Sequence, residues 1–127
     1  MSEKAKFGTI GWHDLTVPNA TEVKDFYQAV LGASVQETSM GEYADYTLVN
    51  DAGEPIGGVC HAKGPNAKGL PPQWLIYVTV KDIDASLRSV TAKGGKIVRA
   101  KWSMGDYGDF AVIQDPAGAS MALCQPK

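Results

Sequence analysis

Residues 40–51 read MGEYADYTLVND, and residues 104–115 read MGDYGDFAVIQD. Met, Gly, Tyr, Asp and the closing Asp recur in place at an offset of 64 residues. Between them Glu42 becomes Asp106, Tyr46 becomes Phe110, and Leu48-Val49 becomes Val112-Ile113. Agreement over such a length marks an internal duplication. The echo extends further. Residues 58–61 (GVCH) answer residues 122–125 (ALCQ) at the same offset of 64. Upstream the offset is 63: Leu15-Thr16-Val17 answers Val78-Thr79-Val80, and Gly32 with Val35 answers Gly95 with Val98. Two copies of about 60 residues are too few and too long for a solenoid, so the reading is one pseudo-symmetric domain over residues 1–127. Module one takes residues 8–62, a linker residues 63–72, and module two residues 73–127.

Periodicity supplies the elements of each copy. Residues 8–17 alternate as a strand, and Pro18-Asn19 ends it. Asn19 is a candidate N-cap with Glu22 as its capping-box partner. Val23, Phe26, Tyr27, Val30 and Leu31 then form an apolar helical stripe that Gly32 closes. Strands are expected at 33–39, 43–50 and 55–62, which makes copy one β-α-β-β-β. Residues 63–72 (KGPNAKGLPP) carry two Gly and three Pro without periodicity, as a linker does. Copy two repeats the order. A strand at 74–80 leads to a helix capped by Asp82 with Ile83, Leu87 and Val90 inward, and Gly94-Gly95 ends that helix. Strands at 96–103, 107–114 and 119–125 follow, with a turn at Asp115-Pro116-Ala117-Gly118.

Bulk properties narrow the function classes. A chain of 127 residues with 44% hydrophobic and 20% charged residues buries a globular core. A net charge of −2 with no Lys/Arg run argues against nucleic acid as a partner. No run of apolar residues has membrane-spanning length, and the opening residues MSEKAKFGT lack the apolar segment of a signal peptide. The expectation is a cytoplasmic protein whose two cysteines are free thiols.

Paired βαβββ units of this length resemble the vicinal-oxygen-chelate superfamily, the glyoxalase, bleomycin-resistance and extradiol-dioxygenase group. Two stretches carry the resemblance: LTVPNATEVKDFYQAVLG at 15–32 and DPAGASMALCQP at 115–126. It implies an α+β fold, two tandem βαβββ modules forming a curved, mostly antiparallel, eight-stranded open sheet. The concave face of that sheet would cup a small molecule, with the helices outside. In metal-dependent members the ligands come from the first and last strand of each module. Those positions fall here on Trp12, Leu75, Ala122 and one of Gly57 or Gly58, and none offers a donor side chain. This departure from the family pattern leaves the cup and sets aside its metal chemistry, so no metal and no cofactor are expected. His13 stands one residue from a ligand position, and alternation turns it toward the helix layer.

Alternation sends Trp12 and Asp14 to the face opposite Leu15 and Val17, toward the cup. Leu75 and Tyr77, and Ser120, Ala122 and Cys124, are expected to join them. Tyr43 shares a strand face with Asp45, as Tyr107 does with Asp109, and Met40, Met104, Trp74 and Trp102 stand at strand ends where they could form a rim. An apolar aromatic pocket with a few fixed polar groups suits a small-molecule site, and ordinary packing suits the same residues. Asp45 and Asp109 could orient a ligand or act as bases; the commoner role is a local bond to backbone N–H groups. Asp51 and Asp115 start turns. Cys60 and Cys124 occupy matching positions and read as small buried residues.

Two functions lead, beside a third reading in which the cup is filled by its own side chains and the role is an interaction surface. The first is a metal-free binder of a small, partly aromatic molecule, sequestering or carrying it as a homodimer. The second is a lyase, isomerase or dioxygenase with an unusual metal site drawing on His13, His61, Asp14 or Tyr77. Charge is compatible with a cationic ligand without requiring one.

Overall fold

The structure is a computed structural model that describes residues 6–63 and 70–127. The expected linker falls largely on residues outside that description. In chain order the elements are β1 (Ile10–Val17), α1 (Ala20–Leu31), β2 (Ser34–Ser39), β3 (Ala44–Val49) and β4 (Pro55–His61), then β5 (Trp74–Thr79), α2 (Ile83–Ala92), β6 (Lys96–Ser103), β7 (Asp109–Gln114) and β8 (Ser120–Gln125). This is the duplicated βαβββ order, and the strands form a mixed eight-stranded sheet. Gly105–Tyr107, expected to begin a strand at Tyr107, is a 3-10 turn instead.

The chain forms two compact units. One holds His13–Trp74; the other holds Leu75–Lys127 together with the chain up to Trp12. The boundary cuts β1, so its first residues belong with module two. There Gly8 N–H donates to the Thr79 carbonyl at 2.7 Å, and Thr79 N–H donates to that of Thr9 at 2.8 Å.

In the first unit the strand order is β2-β3-β4-β1, antiparallel except for the parallel β1–β4 pair. Leu15, Val17, Tyr46, Leu48 and Val59 face α1 and are buried, with Val23 and Tyr27 of the helix packed on them. The rest of the predicted helical stripe is not covered: Phe26, Val30 and Leu31 are 59%, 60% and 49% exposed. The capping box also differs from expectation. The Asn19 side chain makes no bond to the helix backbone and donates instead to Glu22 Oε1 at 2.8 Å. Gly32 closes the helix in the left-handed conformation, as its position implied.

In the second unit the order is β5-β8-β7-β6, with β5 and β8 parallel and the rest antiparallel. Ile83, Ala111 and Leu123 form the core under α2, joined by Leu87, Ile113 and Met121. Asp82 caps α2 through a 3.1 Å bond from Ala85 N–H, as predicted. No helix among the described residues is long and apolar enough to cross a membrane.

The two modules differ in register at their third strand. Tyr46 pairs with Val59 and faces α1, whereas Phe110 pairs with Cys124 and faces away from α2. The structural counterpart of Tyr46 is Ala111, one residue beyond the repeat alignment. The turns agree with this. Asn50 Oδ1 accepts from Ala52 and Glu54 N–H, as Asp115 Oδ1 does from Ala117 and Ala119. Asn50, not Asp51, is therefore the partner of Asp115. A register shift between Leu48 and Val49 absorbs the extra residue before the last strand of module one.

Candidate functional site

Each module presents one sheet face to its helix and the other away from it, and these helix-free faces differ in their aromatic content. In module one, Asp14 pairs with Gly58 and Thr16 with Cys60, on the side opposite Leu15 and Val59. Thr47 pairs with Gly58 and Asp45 shares its face. That face thus carries Asp14 and Asp45, Thr16, Thr38 and Thr47, Gln36 and the Cys60 thiol. In module two, Tyr77 pairs with Ala122, Phe110 with Cys124, and Trp102 with Phe110, opposite the core under α2. That face carries three aromatic rings, with Thr79 and Cys124 beside them.

The module-two face has internal order. Tyr77 meets Phe110 edge-on with ring centres 5.9 Å apart, and Trp102 lies 5.7 Å from Phe110. The Arg99 guanidinium carbon sits 3.4 Å from the centre of the Trp102 ring, a cation–π stack. Burial lowers the pKa of Arg99, and the nearby Tyr77 acts in the opposite direction. The sequence reading placed Trp102 at a rim and did not single out Arg99. The signal was hidden because residues 99 and 102 cannot share a face under strict alternation. Two register shifts in β6, between Ile97 and Arg99 and between Arg99 and Trp102, bring them together.

The other predicted residues fall as follows. Leu75 and Ala122 are buried, Trp12 and Cys124 half-buried. Asp14 lies on the helix-free face of module one. Asp45 lies there too, buried, but its carboxylate accepts the His61 backbone N–H at 2.8 Å, which fits the structural role. Three candidates depart from the expected lining. Tyr43 precedes β3 and packs its ring against His61 at 5.3 Å, its hydroxyl donating to the Lys63 carbonyl. Tyr107 sits in the 3-10 turn, 75% exposed. Asp109 shares its strand face with Ala111 and so looks to the helix side. Trp74 also leaves the rim: its indole N–H donates to the Tyr27 hydroxyl at 3.0 Å, and its ring lies 6.4 Å from that of His13.

His13 faces the helix side, as alternation required, where it crowds Gly57. His61 is buried there, Nδ1 at 2.8 Å from the Ala44 carbonyl. Asp14 is on the opposite face. The cysteines are half-buried rather than buried. Burial pushes the Cys60 thiol far up, with Asp14 and Asp45 adding to the effect, and burial followed by Asp109 raises Cys124. Neither is poised as a nucleophile.

The positions to which the family resemblance assigns metal ligands carry an indole, two aliphatic side chains and a glycine. Among the described residues no three His, Cys, Asp or Glu side chains gather to hold a metal ion.

Comparison with known proteins identifies the fold. A family model described as Glyoxalase/Bleomycin resistance protein/Dioxygenase superfamily matches residues 9–123, and the chain belongs to that superfamily. It is 29% identical over 119 residues to the putative glyoxylase CFP32 of Mycobacterium tuberculosis, covering 93% of this chain and 46% of that protein. It is 27% identical over 127 residues to the anthracycline biosynthesis protein DnrV of Streptomyces peucetius, covering 91% of this chain and 46% of DnrV. The chain thus spans about half the length of the curated relatives it matches. Among solved structures, methylmalonyl-CoA epimerase from Mycobacterium tuberculosis superposes with a TM-score of 0.60 at 16% identity, over 100% of this chain and 93% of that one. NAD-dependent benzaldehyde dehydrogenase from Legionella pneumophila gives 0.61 at 19% identity, over 91% and 98%. Likeness at these identities is a statement about fold.

Proposed function

We propose that this protein binds a small, partly aromatic molecule on the helix-free face of its second module, without a metal, and holds or carries it rather than turning it over. The observation that carries this reading is the contiguous run Tyr77–Phe110–Trp102–Arg99, four side chains in ring or cation contact on one sheet face. An aromatic floor with one fixed charge is what orients a flat organic ligand. The absence of a donor set at the family's ligand positions supports the metal-free part. The relative DnrV is an anthracycline biosynthesis protein, and anthracyclines are polycyclic aromatic compounds. The working form in this reading is a cytoplasmic homodimer, which sedimentation velocity at micromolar concentration tests.

Calorimetric titration with a set of anthraquinones, before and after chelator treatment, tests the reading. Saturable binding that chelation leaves unchanged is expected. Binding that disappears on chelation and returns with a divalent metal would move the protein to the metal-dependent enzymes of the superfamily.

A further inference from the structure

Arg99 is placed by a device that appears in one module only. Simple alternation along β6 would leave it on the side of Ile97, which pairs with Ile113 of the core. The register shifts on either side of it turn it to the aromatic face, opposite Val112, and bring Trp102 beneath it. β2, the corresponding strand of module one, pairs with β3 without any shift and carries Gln36 and Thr38 in this region. The bulges therefore serve module two alone, and what they deliver is a cation.

That cation has its bonding groups available. A guanidinium lying on an indole gives its face to the ring and keeps its N–H donors in plane, pointing outward. No carboxylate pairs with Arg99 among the described residues, whereas Lys24 holds Asp25 at 2.8 Å and Lys101 holds Asp84 at 2.9 Å. The acid on the neighbouring strand, Asp109, lies on the other side of the sheet. A half-buried arginine stacked in this way repels cations and matches the two oxygens of a carboxylate.

We propose that Arg99 selects the ligand: the module-two face takes a planar aromatic acid whose carboxylate pairs with the Arg99 guanidinium, held on Trp102, while its ring lies against Phe110 and Tyr77. The inference rests on the binding reading above and adds the sign of the ligand's charge, which excludes the cationic ligand that net charge alone allowed.

The test is a matched pair, anthraquinone-2-carboxylate and anthraquinone-2-carboxamide, titrated calorimetrically into the wild-type chain, R99K and R99Q. The acid is expected to bind wild type roughly tenfold to hundredfold more tightly than the amide, the range for bonds to a charged partner. R99Q should collapse that ratio toward one. R99K, which keeps the charge and loses the planar fork, should keep only part of it, and it guards against a glutamine variant that fails to fold. Equal binding of acid and amide to wild type overturns the proposal and leaves the binding reading standing. Binding of neither compound overturns both.

Discussion

The carboxylate of Asp45 accepts the backbone N–H of His61 at 2.8 Å, and both residues are buried. The bond ties the start of β3 to the end of β4. A charged acceptor on a buried amide contributes about 1.5–3 kcal/mol. D45A is expected to lower stability by that amount, because it also strands the amide. D45N keeps an acceptor oxygen and should cost less. Urea unfolding reads both, as a shifted midpoint at unchanged slope. A D45A protein as stable as wild type would remove the structural role assigned to Asp45.

The Cys60 thiol is raised above its ordinary value of 9.0 by burial first, then by Asp14 and Asp45. The folded state thus holds this proton more tightly than the unfolded chain. Its contribution to stability is present in full below about pH 9 and is lost as pH rises toward the folded value. C60A should therefore lose less stability than wild type between about pH 8.5 and pH 10.5. Alkylation follows the same order, since it needs the thiolate. At pH 8.5 iodoacetamide should label Cys124 well before Cys60, which peptide mass mapping reads.

Gly108 has φ of +104°, and a Cβ there would run into the Gln125 carbonyl oxygen. Gly105, in the same turn, has φ of +58° with nothing within 4 Å. The first site combines backbone strain with a backbone clash, and the second carries strain alone. G108A is expected to cost about 3 kcal/mol or more, and G105A about 1–2 kcal/mol. Thermal melts of the two variants give the comparison. Equal losses would mean that the turn relaxes around the added methyl group.

Most of the architecture could be read from the chain. The helix ends at Gly32 and Asp82, the order of elements, and the side taken by His13 all followed from periodicity and capping chemistry. The repeat that revealed the duplication also misaligned it. Matching MGEYADYTLVND to MGDYGDFAVIQD equates Tyr46 with Phe110, yet strand pairing sets those rings on opposite faces. The same slip paired Asp45 with Asp109, and Phe110 is the true counterpart of Asp45. One clue was present: Ala52-Gly53 and Ala117-Gly118 stand 65 apart, and both glycines donate to the residue that starts the turn. Turn chemistry, not identity between strand residues, fixes the register. Arg99 was out of reach for a different reason. Its face depends on two bulges that leave no trace in a hydrophobic pattern. The exposure of Phe26, Val30 and Leu31 was equally hidden, because an apolar stripe states which residues can be buried and not how wide the sheet beneath them is.

The central claim is that the helix-free face of module two is the binding surface. A 15N-labelled protein titrated with anthraquinone-2-carboxylate tests it by amide and indole chemical shifts. Saturable shifts at the Trp102 indole and at the amides around Tyr77, Arg99, Phe110 and Cys124 are the predicted result. Shifts centred instead on Asp14, Cys60 and Thr47, or on the exposed side of α1, would contradict the account.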